Sequence, residues 1–171
     1  MHNVVPIPRC GHTSVFRLAS MRRMLASWFG TGLILGKIRD SDMGSGTVAA
    51  LATFPLAYWI GSTWGWPVQV VSAAFLFFLG VWATSRFIDA EGDAGWMVID
   101  EAAGTFVAMI GLTLGPAVVA WVVFRTADIF KKAFPGVAQA ERLSGPWGVM
   151  GDDIIAGVYG LVVGHIVQAL V

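Results

Sequence analysis

Apolar and charged positions are so unevenly distributed along this chain that they divide it before any motif is considered. Asp, Glu, Lys and Arg are absent from three windows, 47–85, 102–124 and 154–171. The first window is interrupted by Gly61-Ser62-Thr63-Trp64-Gly65-Trp66-Pro67, a turn-forming run. It therefore predicts two apolar helices of roughly 17 and 20 residues, each near bilayer-spanning length. Together they make a transmembrane hairpin, with Trp59, Trp64, Trp66 and Trp82 near its ends, where interfacial aromatic rings belong. The third window closes the chain as a further apolar run that reaches the far face.

The second window has 23 residues and could form one span or two shorter helices. A proline suits the start of a helix, so a break is expected at Gly115-Pro116. The break also leaves Arg125, Lys131, Lys132 and Arg142 on the same side as Arg86, as the positive-inside rule asks. Ahead of these windows, residues 16–37 carry basic groups followed by an apolar run, without a small-x-small cleavage site. They are expected to form an interfacial element kept in the chain. The expected architecture is one all-α domain over 1–171, an integral membrane bundle of helical hairpins with its polar chemistry on one face. Residues 1–46 supply the interfacial segment and a loop, and 47–171 the helical core.

Composition agrees. The chain of 171 residues is 56% hydrophobic and 13% charged, about half the charge of an ordinary soluble domain. Eleven basic and eleven acidic residues cancel, and no basic stripe is interleaved with aromatics, which argues against nucleic acid as a partner. Cys10 is alone, and the six residues between it and Arg17 are one too many for the phosphate cradle of thiol phosphatases. His2, His12 and His165 do not share a helical face, so zinc has no support.

The charged clusters carry the chemistry. Asp89, Glu91, Asp93 and Asp100 mimic a calcium loop, but Ala94 stands where that loop needs glycine and an aspartate where it needs the final glutamate. Asp100-Glu101 reads either as an acidic first turn or as a metal-ligand pair, whose members diverge by about 100° around a helix. Arg125, Asp128 and Lys132 are spaced to share a helix face, either as a surface ion-pair stripe or as a site for phosphate plus a cation. In Gly148-Val149-Met150-Gly151-Asp152-Asp153, Asp152 suits the N-cap of a helix starting near Ile154. Taken together, acidic and basic groups gathered on one membrane face describe a hard-cation, phosphate-handling site, because Mg²⁺ takes oxygen ligands and shares phosphate oxygens.

At these residues the sequence resembles the phosphatidylglycerophosphatase A family. The matching stretches are Phe29-Gly30-Thr31-Gly32, Gly46-Thr47, Asp100-Glu101-Ala102-Ala103-Gly104, Phe124 to Lys131, and Gly148 to Gly157. Ser45, Ala49-Ala50 and Lys132 depart from the family pattern. The resemblance implies an all-helical, Mg²⁺-dependent phosphatase that converts phosphatidylglycerophosphate to phosphatidylglycerol at the cytoplasmic side of a bacterial inner membrane. The mechanism expected on that basis is metal-assisted hydrolysis, with Asp100, Asp152 and Asp153 holding Mg²⁺ and Glu101 or Asp128 as a further ligand or as the base for the attacking water. Arg125 and Lys131 would neutralise phosphoryl charge, and Gly46-Thr47 would receive the phosphate. Two rival readings predict other features. A CDP-alcohol phosphotransferase needs a DG-x-x-A-R opening that is absent, and a transporter or scaffold would carry charges within its spans.

Overall fold

The computed structural model describes residues 12–39, 41, 43–92 and 94–171. His2, Cys10, Asp40, Asp42 and Asp93 lie outside the described residues. Among the described residues every regular element is helical: α1 (His12–Ala26), α2 (Thr31–Arg39), α3 (Ser45–Trp64), α4 (Trp66–Thr84), α5 (Ile88–Glu91), α6 (Ile99–Ala108), α7 (Leu114–Ile129), a 3₁₀ turn (Lys131–Ala133), α8 (Val137–Ala140) and α9 (Pro146–Leu170). The all-α architecture is as expected.

The expected hairpin is α3 and α4. They are joined at Gly65, whose φ of 84° a side chain would oppose, and Pro67 occupies the first turn of α4. Among the described residues, α4 and α9 are long and apolar enough to cross a bilayer. Trp59, Trp64 and Trp66 are exposed around the hairpin turn, as an aromatic belt would be.

At the centre lies α6, which packs against α3, α4 and α9 through Ile99, Ala102, Ala103 and Phe106. Small residues let α9 approach closely. A Cβ at Gly157 would press on the Gly104 carbonyl, and one at Gly160 on the Ala120 carbonyl. Without a hydrophobic drive between helices in lipid, such close backbone packing holds a bundle together.

The 102–124 window is broken, but earlier than the proline predicts. The chain leaves α6 at Met109, turns at Gly111 (φ 70°) and re-enters a helix at Leu114, so Gly115 and Pro116 fall in the first turn of α7. Polar side chains from neighbouring helices decide the position. The Gln69 amide donates to the Ala57 and Met109 carbonyls at 3.1 and 3.2 Å, and its oxygen accepts the Gly111 N–H at 2.9 Å. The Gln168 side chain accepts the Thr113 N–H at 2.7 Å and donates to the Gly111 carbonyl at 3.1 Å. These side chains satisfy backbone groups that the helix break would otherwise leave unpaired.

Two further corrections concern charges. The final helix begins at Pro146 with Gly145 as its N-cap, so Asp152 is no cap and Asp153 is not in a first turn. Both lie inside the longest apolar helix, where no charge was expected. The stripe Arg125, Asp128, Lys132 is also broken, because α7 ends at Ile129 and both lysines enter the 3₁₀ turn. Before the core, Arg22 stacks 4.3 Å over the Trp82 ring and Arg23 5.0 Å over Trp96, which ties α1 to α4 and to the loop ahead of α6.

Candidate active site

Four helix ends meet at the pole of the bundle opposite the Gln69 turn: the N-termini of α3 and α6, the C-terminus of α7 and the first turns of α9. Each delivers part of a polar cluster. Arg125, 8% exposed, comes from the last turn but one of α7 and forms an ion pair with Asp128, three residues on, at 2.8 Å. Its second amino group donates to the Thr47 hydroxyl on α3 at 3.4 Å, and its first lies 4.0 Å from Glu101 on α6. One guanidinium thus ties three helices.

On the other side, Lys131 Nζ pairs with Asp152 Oδ2 at 2.6 Å and with Glu141 Oε1 at 3.0 Å. Glu141 was not foreseen. It is one acid in a polar stretch, and only the short α8 that precedes it explains its approach to Lys131. Burial lowers the affinity of Lys131 for its proton, but the hydrogen bond and charge of Asp152, aided by Glu141, outweigh this and raise its pKa. Lys131 therefore stays an ammonium.

The acidic residues converge. Oxygens of Asp100, Glu101 and Asp153 come within 4.8 Å of one another, as do oxygens of Asp128, Asp152 and Asp153. Both adjacent pairs therefore reach a common point despite their divergence around a helix. Asp100 Oδ1 accepts the Glu101 N–H at 3.0 Å, and Asp152 Oδ1 accepts the Asp153 N–H at 2.9 Å, which orients each pair. Asp152 and Asp153 are 3% and 2% exposed. Glu101 Oε2 and Asp153 Oδ2 have no hydrogen-bond partner among the described residues. Burial raises the pKa of Glu101, against the opposing influence of Asp100 and Arg125.

Buried carboxylate oxygens without donors are costly, and a hard divalent cation is the group that satisfies them, so the donor set fits Mg²⁺ chemistry. Gly46 completes the pocket wall, since any Cβ there would collide with the Glu101 carboxylate and crowd the Arg125 guanidinium. All the expected site residues, Gly46, Thr47, Asp100, Glu101, Arg125, Asp128, Lys131, Asp152 and Asp153, are brought to this one pole. Lys132 is not among them. It is exposed and lines a surface hollow at the edge of the cluster, which Lys131 and Glu141 also border.

A helical membrane bundle whose interior gathers carboxylates, an arginine and a lysine at one pole is the architecture of an enzyme acting on phosphorylated lipid. The family can be given more closely. The chain belongs to the phosphatidylglycerophosphatase A family, whose model matches residues 24–168. A phosphatidylglycerophosphatase A from Haemophilus influenzae is 31% identical over 150 residues, covering 85% of this chain and 87% of that protein. A Bacteroides thetaiotaomicron protein with the provisional name phosphatidylinositol-3-phosphatase is 30% identical over 103 residues, covering 57% of this chain and 63% of its own length. No solved structure matches.

Proposed function

We propose that the chain hydrolyses the terminal phosphomonoester of phosphatidylglycerophosphate, releasing phosphatidylglycerol and inorganic phosphate, with Mg²⁺ as its cation. The working face is the cytoplasmic side of a bacterial inner membrane. The chain acts as one membrane domain, with residues 1–46 at the interface and 47–171 as core. What carries this reading is the pair of buried carboxylate oxygens, Asp153 Oδ2 and Glu101 Oε2, that have no hydrogen-bond partner among the described residues, with the Arg125 guanidinium 4.0 Å from the other Glu101 oxygen. Buried oxygen donors beside cations are what a site for phosphate and a hard cation requires.

Asp100, Glu101, Asp152 and Asp153 supply the metal ligands, Asp100, Glu101 and Asp153 from one group of neighbouring oxygens and Asp152 from a second that Asp153 shares. When bound, the cation supplies Lewis-acid stabilisation of the phosphoryl oxygens. Thr47, on the first turn of α3, offers its hydroxyl and the free N–H groups of a helix N-terminus to the phosphate. Arg125 and Lys131 neutralise charge as the ester bond breaks, and Asp128 holds the guanidinium in place. Glu101 takes a proton from the attacking water. The acyl chains stay in lipid while the head group enters the polar pole.

The test is purified protein in detergent with phosphatidylglycerophosphate, measuring released phosphate with Mg²⁺, with EDTA, and with EDTA followed by excess Mg²⁺. Release that stops with chelator and returns with Mg²⁺ is expected. Phosphatidylinositol 3-phosphate belongs in the same assay, given the name of the Bacteroides relative. Preference for it would replace the head group assigned here, and no release from any phospholipid would end the assignment.

A further inference from the structure

The five carboxylates of the site form two groups rather than one. Asp100, Glu101 and Asp153 make the first, and Asp128, Asp152 and Asp153 the second, so Asp153 alone is common to both. The first is completed from the N-terminus of α6 and the second from the C-terminus of α7. Asp153 stands between them on α9, 2% exposed, with Oδ2 unsatisfied among the described residues. A shared, buried carboxylate with an oxygen in need of a partner is the geometry of a bridging ligand.

Charge points the same way. Against the five carboxylates stand two cations, Arg125 and Lys131. The cluster therefore carries a formal charge of −3 when ionised, leaving out the half-exposed Glu141, which water screens. A phosphomonoester dianion cannot enter such a site in a buried, weakly screened setting. One divalent cation still leaves −1, which repels the substrate. Two give +1, which attracts it.

We infer that the site binds two divalent cations at once, bridged by the Asp153 carboxylate. Asp100 and Glu101 complete one position, and Asp128 and Asp152 the other. This rests on reading the pole as a phosphate-handling metal centre, and it gives Asp128 a second duty beside holding Arg125. The two existing bonds to Asp152 leave it free to serve, since each carboxylate oxygen has two lone pairs.

Full-length protein in detergent, titrated with Mn²⁺ by equilibrium dialysis and observed by electron paramagnetic resonance without substrate, tests it. Two Mn²⁺ per chain are expected, with the broadened signal of coupled ions. Glu101→Gln and Asp128→Asn should each lower the stoichiometry to about one and restore the sharp six-line signal of an isolated ion. Wild-type protein that saturates at one ion with a six-line signal would overturn the inference whatever the variants do. If that protein still releases phosphate, the proposed function survives and only the second ion is lost. If it binds no ion and releases no phosphate, both readings fail.

Discussion

Arg125→Lys keeps the positive charge of the site and removes only its shape. The guanidinium reaches Asp128 at 2.8 Å, Thr47 at 3.4 Å and Glu101 at 4.0 Å, three partners on three helices, from a side chain 8% exposed. An ammonium on a flexible stem can hold Asp128 but cannot fork toward α3 and α6 at the same time. At least one charge-assisted contact is lost, and each is worth about 1.5–3 kcal/mol. If that contact acts on the phosphoryl group in the transition state, kcat/KM should fall by roughly 10- to 150-fold at about 1.4 kcal/mol per decade. Phosphate release from phosphatidylglycerophosphate measures it, with far-UV circular dichroism and detergent elution volume as folding controls. An Arg125→Lys enzyme as fast as wild type, with Arg125→Gln slow, would show that charge suffices and that the forked contact does no catalytic work.

Asp152→Asn should abolish phosphate release while leaving expression and membrane insertion unchanged; normal turnover would reduce Asp152 to a partner for Lys131. Lys131→Met leaves the buried Asp152 carboxylate without its ammonium and should cost about 3–5 kcal/mol, seen as a lower unfolding temperature that the double change Lys131→Met with Asp152→Asn recovers without regaining activity. Gly46→Ala puts a methyl group against the Glu101 carboxylate and should weaken Mn²⁺ retention and turnover together, where Thr53→Val, on the same helix and away from the pole, leaves both intact. Gln69→Leu removes two hydrogen bonds to the 109–113 turn and one to the Ala57 carbonyl, and should destabilise by about 2–4 kcal/mol; the site residues being at the other pole, kcat at low temperature should hold.

The hairpin was legible because an absence of charge and a Gly-Pro turn are local signals. The polar pole was legible for a related reason: acids and bases that cannot stay in hydrocarbon must collect at an end or pack together. What local pattern could not show was how far the helices run. Asp152 looks like a cap when the helix is taken to begin where the charges stop, yet Gly145 and Pro146 start it well before Ile154 and carry both aspartates inward. Pro116 likewise suggests a break that the chain makes earlier, because Gln69 and Gln168, remote in sequence, satisfy the backbone at 109–113. Lys132 shares a helical spacing with Arg125 on paper only, since the 3₁₀ turn rotates it away. Glu141 gives no sign of itself until the end of α8 brings it beside Lys131.

The position of the aspartates inside α9 explains why the site has the composition it does. A carboxylate at a helix cap keeps water for company and gains little from a cation. Moved about two turns into an apolar helix and covered by α6 and α7, Asp153 loses that water, and every nearby charge acts on it with less screening. The same burial that makes an empty site expensive makes a filled one selective, since only a compact ion of high charge restores what hydration supplied. Arg125 and Lys131 cannot do this alone: each is already committed to another carboxylate, Asp128 and Glu141 respectively. Close packing by Gly157 and Gly160 is what allows α9 to carry its acids so near the other helices. The small residues that assemble the bundle and the charged residues gathered within it are therefore parts of one arrangement, and enlarging the former displaces the latter.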